Sequence, residues 1–123
     1  MRRSVWLALL CVLAFALSSA YVTYYLRGGP RIIDATSYFL EARSIAAGSF
    51  SFHAPDPTAA FRGRFLLASS DGHRLGVIFP PGFPLVLSLG VLLGVPLLVG
   101  PALGALLVAA TYGLARALGI EPR

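Results

Sequence analysis

The sequence has little charge and lacks several residues that soluble proteins place at their surface. Only 12% of the 123 residues are charged, and Lys, Asn and Gln are absent. A soluble domain usually carries about twice that fraction of charged residues. Because 57% of the residues are hydrophobic, the intrinsically disordered class is also excluded. The composition therefore predicts a membrane protein, or a part of one, with at most one small domain.

Other absences exclude further classes. The single cysteine, Cys11, lies within an apolar run, so the chain has no disulfide framework and no cysteine metal site. The net charge of +5 comes from ten scattered Arg residues. No basic stripe is interleaved with aromatic residues, so no nucleic-acid partner is predicted. His53 and His73 lie far apart in the sequence and form no ligand motif, and both are expected to be solvated loop residues.

The first uncharged run, residues 4–26, is long enough to cross a membrane. As a helix it would measure about 34 Å, against about 30 Å for the hydrocarbon core of a bilayer. Arg2 and Arg3 precede the run, and tyrosines lie near its far end, where aromatic belts occur. A cleaved signal peptide is the alternative, with Ser18–Ala20 as the small residues at the cleavage site. The apolar run continues to Leu26, beyond an ordinary signal core, which favours an uncleaved anchor.

A second apolar block carries no charge from Leu75 to Ala115, but Pro and Gly residues divide it. Residues 97–118 are long enough to span a membrane, whereas residues 83–93 would form only about 16 Å of helix. We therefore expect residues 97–118 to be the second transmembrane helix. Residues 83–93 are expected to form an interfacial helix at the outer surface, and the alternative is a third, tightly connected crossing.

The distribution of Arg residues predicts the orientation of the two spans. Arg116 and Arg123 lie at the end of the second span and no Arg lies near its start, which predicts a cytoplasmic end. Two crossings return the N-terminus to the same side, in agreement with Arg2 and Arg3. The protein is thus expected in a bacterial inner (plasma) membrane, with both termini cytoplasmic and an extracytoplasmic loop over residues 27–82.

The first part of this loop predicts a short helix over residues 35–47. Asp34 is a suitable N-cap and Gly48 a suitable stop. The apolar residues recur at spacings of three and four, so one face is apolar, and Glu41 and Arg43 are expected to flank that face. A short amphipathic helix beside a spanning segment is typical of a membrane surface.

The later part of the loop predicts a β-hairpin. Asp71-Gly72 separates the apolar segments 63–68 and 75–79, and Asp-Gly between such segments is typical of a tight hairpin turn. The predicted fold class is an α-helical integral membrane protein. Its two transmembrane helices are joined by a long extracytoplasmic loop that contains short juxtamembrane helices and this hairpin.

Two stretches of the loop resemble a known family. The stretch from Asp34 to Gly48, with Tyr38 and the pair Ala42-Arg43, resembles the start of the first outer loop of GT-C glycosyltransferases. These are polytopic enzymes related to protein O-mannosyltransferases (glycosyltransferase family 39) and lipid A aminoarabinose transferases. Residues 79–84, Phe-Pro-Pro-Gly-Phe-Pro, resemble the aromatic- or His-Pro-Pro element that this family places ahead of a short helix. The order of span, loop, interfacial helix and next span is also similar.

The resemblance implies a transferase with a polyprenyl-phosphate-linked sugar donor held among membrane lipids and an acceptor hydroxyl at the outer face. Asp34 maps onto the expected catalytic carboxylate, which would take the proton of the acceptor. Tyr38 is a candidate substrate-binding residue. Arg62, Arg64 and Arg74 are candidates for stabilising the departing phosphate. The residues themselves select none of the three, and each also fits an ordinary loop arginine.

The chain departs from the family pattern in two ways. Ala35 replaces the second acid, so a role that needs two adjacent carboxylates, including shared metal ligation, is not supported and no cofactor is predicted. Family members also have many more spans, so the chain is expected to be an N-terminal fragment that is inactive alone. From periodicity alone, Asp34 is explained by helix capping. The alternative function is a small non-enzymatic two-span protein that binds a partner through its loop or the Gly100–Gly104 face.

Overall fold

A computed structural model describes residues 2–56 and 63–120 of the chain. It is mostly helical with one small sheet. The described residues divide into two compact units, a helical unit within Met1–Gly29 and Leu97–Arg123 and a loop unit, Pro30–Pro96. In chain order the elements are α1 (Arg2–Ala20), α2 (Ile33–Ala46), β1 (Ser51–His53), β2 (Leu66–Ala68), β3 (Arg74–Val77), α3 (Gly82–Leu92) and α4 (Val99–Ala117).

The helical unit contains two helices that are long and apolar enough to cross a membrane. Helix α1 continues through a π-helical turn and α4 is preceded by a 3-10 turn, so the continuous stretches are Ser4–Tyr25 and Pro96–Ala117, 22 residues each. No residue in the most apolar window of the first stretch is buried, and only 6% of the window is buried in the second. The core helix of a soluble protein would be mostly buried. The prediction of two long apolar helices is therefore confirmed.

Helices α1 and α4 pack against each other through small residues. A Cβ atom added at Gly104 would lie 3.8 Å from Ser18 Oγ, whereas one added at Gly100 would meet nothing within 4 Å. Pro101 is fully buried in the first turn of α4, where its missing N–H removes no helical hydrogen bond. The Gly100–Gly104 face was predicted as a possible partner-binding surface. Of its two glycines, Gly104 packs against α1 of the same chain.

The loop unit is built from α2, α3 and a three-stranded antiparallel sheet with the strand order β1-β3-β2. The predicted hairpin is present as β2 and β3, with Leu67 opposite Gly76. Strand β1 was not predicted from the sequence, and it pairs with the other edge of β3. Helix α2 packs on both α3 and the sheet. The buried apolar residues that hold this unit together are Ala42, Ala54, Leu75, Pro84 and Leu87.

The hairpin turn is held by the side chain of Asp71. Its Oδ1 accepts a hydrogen bond from Ser69 Oγ and one of 3.1 Å from the backbone N–H of His73. These two bonds, the first above all, keep the pKa of the Asp71 carboxyl below its ordinary value. Gly72 has φ +74, the left-handed conformation that a Gly residue adopts without strain. The Asp-Gly sequence therefore forms the turn that it predicts.

Helix α2 begins two residues earlier than expected, and its cap differs from the prediction. The N-cap is Ile32, with extended φ −120 and ψ 152, and no side chain caps the helix. The assignment of Asp34 as N-cap is therefore wrong, because this residue already lies inside the first turn. The expected stop is present, since Gly48 follows the C-cap Ala47 with φ +79.

Helix α3 lies one residue from its expected position and has two different sides. It ends ahead of Gly94, which has φ +74. Pro84, Leu87 and Ser88 are buried within the loop unit. The opposite side exposes only aliphatic side chains, namely Leu85, Val86, Leu89, Leu92 and Leu93. Nothing among the described residues of the loop unit covers this apolar side.

Candidate functional site

Asp34 is a half-buried acid in the first turn of α2. The acid lies near the positive end of the helix dipole, a position that favours the helix. Since the cap position belongs to Ile32, the carboxylate is not used to close the helix. No residue that the structure describes donates a hydrogen bond to it or forms an ion pair with it. The carboxylate is thus available to an external group.

A second acid, Glu41, lies on the same side of α2 as Asp34. Seven residues separate the two, which is close to two helical turns, or about 10.5 Å along the axis. Glu41 was expected to flank the apolar face, but it is only 4% exposed. Its Oε2 has no hydrogen-bond partner among the described residues. This burial raises the pKa of the Glu41 carboxyl.

The expectation for Glu41 was wrong because the buried side of α2 is rich in small polar residues. Ser37 and Ser44 are buried beside it, and each hydroxyl donates a 3.0 Å hydrogen bond to the carbonyl oxygen four residues earlier. With their donors satisfied in this way, the serines can be buried at little cost. The packing side of α2 is therefore rotated away from the face that hydrophobicity alone predicts.

The candidate residue Tyr38 lies in an aromatic cluster that joins the two stretches of the family resemblance. Its ring centroid is 4.9 Å from that of Phe79 and 5.6 Å from that of Phe83, the second pair at 83° between planes. Phe79 also lies 4.9 Å from Phe65. Offset and edge-on ring pairs of this kind add to the stability from burial alone. The cluster fixes residues 79–83 against the first half of α2.

The three candidate arginines differ in their surroundings. Arg62 lies outside the described residues. Arg64 is exposed and forms no hydrogen bond or ion pair with a described residue. Arg74 on β3 donates hydrogen bonds to Ser51 Oγ at 2.7 and 3.0 Å and to Ser49 Oγ at 3.1 Å. Arg74 thus ties β3 to the start of β1, and within the described chain neither it nor Arg64 is bonded to Asp34.

A pocket that the sequence did not indicate lies between α2 and the sheet. Its volume is about 840 Å³, and one stripe of α2 forms a wall, with Leu40 and Arg43 pointing into it. The opposite wall includes Phe52 and His53 on β1 and Leu66 at the start of β2. These residues are distant in sequence and meet only because the sheet folds back onto the helix, so no local pattern could have shown the pocket.

The two histidines, between which no contact was predicted, stack on each other. The ring centroids of His53 and His73 are 6.1 Å apart with 10° between the planes. Both residues are exposed, as expected, but His53 is the last residue of β1 and does not lie in a loop. Within residues 2–56 and 63–120, no group of three His, Cys, Asp or Glu residues is arranged to hold a metal ion.

Comparison with known proteins identified no relative of this chain. No family model, curated protein or solved structure matches the chain. The function is therefore proposed from the sequence resemblance described above together with the arrangement of the residues.

Proposed function

We propose that this chain is the N-terminal membrane segment of a glycosyltransferase that moves a sugar from a polyprenyl-phosphate donor to an acceptor hydroxyl at the outer face of the membrane. The observation that carries the proposal is the state of Asp34. It is a half-buried carboxylate in a first helical turn, it does not cap the helix, and it has no partner among the described residues. A carboxylate in this position without a partner is available to accept the proton of an external hydroxyl.

In this proposal α1 and α4 cross the membrane. Their surfaces support it, since Trp6 is 66% exposed and Leu107 is 68% exposed, and the described stretches Ser4–Tyr25 and Pro96–Ala117 bury no charged residue. Such surfaces are costly in water and favourable in lipid. In the proposed topology both termini are cytoplasmic and the loop unit is outside, which the positive-inside rule favours from the sequence positions of Arg2, Arg3 and Arg116.

Helix α3 lies in the outer membrane interface in the same proposal. At 11 residues it is about 16 Å long, too short to cross the hydrocarbon core. Its uncovered aliphatic side would enter the acyl region while its other side holds α2. This arrangement would keep the loop unit, and Asp34 with it, close to the lipid surface from which a polyprenyl donor presents its sugar.

The reaction that Asp34 would support is a displacement at the anomeric carbon. The acceptor hydroxyl oxygen forms the new bond to that carbon while the bond to the phosphate oxygen breaks, and polyprenyl phosphate leaves with the electron pair. Asp34 takes the proton of the hydroxyl and later releases it to water. A positioned base of this kind typically accelerates a reaction by about 10²–10⁴-fold. Arg64 is the described candidate whose guanidinium is uncommitted and available to the departing phosphate.

The class of donor is tested with the complete enzyme that contains this chain. Purified protein in lipid nanodiscs is supplied with a labelled sugar carried either by polyprenyl phosphate or by a nucleoside diphosphate. The proposal predicts transfer to hydroxyl acceptors from the polyprenyl donor alone. Transfer from the nucleotide-linked sugar, or from neither donor across a panel of polyprenyl-linked sugars, would contradict the proposal.

A further inference from the structure

The pocket between α2 and the sheet has the size and lining of a small-molecule site. Its volume of about 840 Å³ lies within the range of about 300–1,000 Å³ that is usual for such sites. Most of the lining is apolar, with Leu40 on the helix and Phe52 and Leu66 on the strands. An apolar wall from three separate elements gives a ligand a surface against which to bury hydrocarbon or a ring.

The hydroxyl groups that line the pocket are already engaged. Thr36 Oγ1 donates to the carbonyl of Ile32 at 3.1 Å, and Ser44 Oγ donates to that of Leu40 at 3.0 Å. Ser51 Oγ accepts the two hydrogen bonds from the Arg74 guanidinium. These hydroxyl groups therefore offer a ligand few unused donors.

Two lining side chains are not engaged in this way. Arg43 is exposed to the pocket, and no described residue pairs with its guanidinium. His53 contacts His73 through its ring face, which leaves its ring nitrogens without a hydrogen bond in the described part of the chain. Arginine is cationic at any physiological pH and binds carboxylate and phosphate with two parallel N–H bonds. The lining residues include no acid that would neutralise Arg43.

We propose that this pocket binds a small amphiphilic anion. The carboxylate or phosphate of the ligand pairs with Arg43 beside His53, and its apolar part lies against Leu40, Phe52 and Leu66. The anion is recognised by the charge, and the apolar wall selects against bare inorganic anions. This inference is independent of the role of Asp34, because the two side chains lie on different sides of α2 and the test measures binding rather than sugar transfer.

The test uses the full chain in nanodiscs with its histidines labelled with nitrogen-15. The imidazole signals of His53 are followed by NMR during titration with hexyl phosphate, hexanoate, inorganic phosphate and hexanol. The proposal predicts saturable shifts with hexyl phosphate, hexanoate or both, at concentrations where inorganic phosphate and hexanol give none. The two amphiphiles distinguish a phosphate headgroup from a carboxylate.

Variants locate the site. Arg43→Gln should weaken amphiphile binding by about tenfold or more, because a charge-assisted pair is lost. Arg31→Gln, which changes another exposed arginine of the loop unit that does not line the pocket, should leave binding within about twofold. Equal binding of inorganic phosphate, equal binding of hexanol, no saturable shift with either amphiphile, or an unchanged affinity in Arg43→Gln would each overturn the proposal.

Discussion

Truncation of the Leu75 side chain should test the packing of the loop unit most clearly. Leu75 lies in the central strand β3, opposite Phe52, and is 2% exposed. Truncation of a buried Leu to Ala typically costs about 2–5 kcal/mol. At about 1.4 kcal/mol for each factor of ten, Leu75→Ala should raise the equilibrium population of the opened loop unit by about 30-fold or more. The substitution removes no hydrogen-bonding group, so the effect reports packing alone.

The matched control is Leu67→Ala in the neighbouring strand β2. Leu67 is 64% exposed, so its truncation should change the opening free energy by only about 0.5 kcal/mol. Both variants and the wild type are measured by proteolysis of the loop in nanodiscs under conditions in which the cleavage rate follows the open population. If Leu75→Ala is cleaved at the wild-type rate, or no faster than Leu67→Ala, the arrangement of the sheet against α2 is wrong.

Three further predictions concern other parts of the chain. Burial raises the pKa of the Glu41 carboxyl. Ionisation of this residue therefore destabilises the folded loop unit at pH values above about 4.5, the ordinary pKa of a Glu side chain. Glu41→Gln should therefore unfold at a higher temperature than the wild type at pH 7, and the difference should shrink below pH 4.5. An equal difference at both pH values would contradict this. Gly104→Leu should weaken the α1–α4 contact, because overpacking costs about 1–3 kcal/mol. It should therefore lower the melting temperature in detergent more than Gly100→Leu does. Equal effects of the two substitutions would show that Gly104 does not lie at the contact. Reporter fusions after Asp56 and at the C-terminus should report opposite sides of the membrane, and a shared side would favour a third crossing by α3.

Local patterns in the sequence were sufficient to predict the elements that depend on interactions within one short segment. The two long apolar runs predict the long helices because length and hydrophobicity act along a single segment. The turn at Asp71-Gly72 and the stop at Gly48 follow from backbone conformations that few other residues adopt. These features need no knowledge of what packs against them.

The remaining features depend on contacts between distant segments. Strand β1 has only three residues, and its pairing of Phe52 with Leu75 is a non-local contact that no pattern around β1 specifies. The burial of Glu41 follows from the packing of α2 against α3 and the sheet, which outweighs the hydrophobic periodicity of α2 itself. Asp34 is a residue type that often caps helices, but α2 begins two residues earlier than expected, so the acid lies inside its first turn. Because α2 begins earlier, the Asp34 carboxylate does not cap the helix and is available for the proposed chemistry.

The most direct test of the central claim is the turnover of Asp34→Asn in the complete enzyme. The amide preserves the shape of the side chain, and because the cap is Ile32 the substitution should leave α2 intact. Asp56→Asn, at an exposed acid of the same loop unit, is the control and should keep turnover within about twofold of the wild type. With the polyprenyl-phosphate donor saturating, we expect Asp34→Asn to insert into the membrane normally and to lose about 10²–10⁴-fold in kcat. A kcat within a few-fold of the wild type would contradict the assignment of Asp34 as the general base.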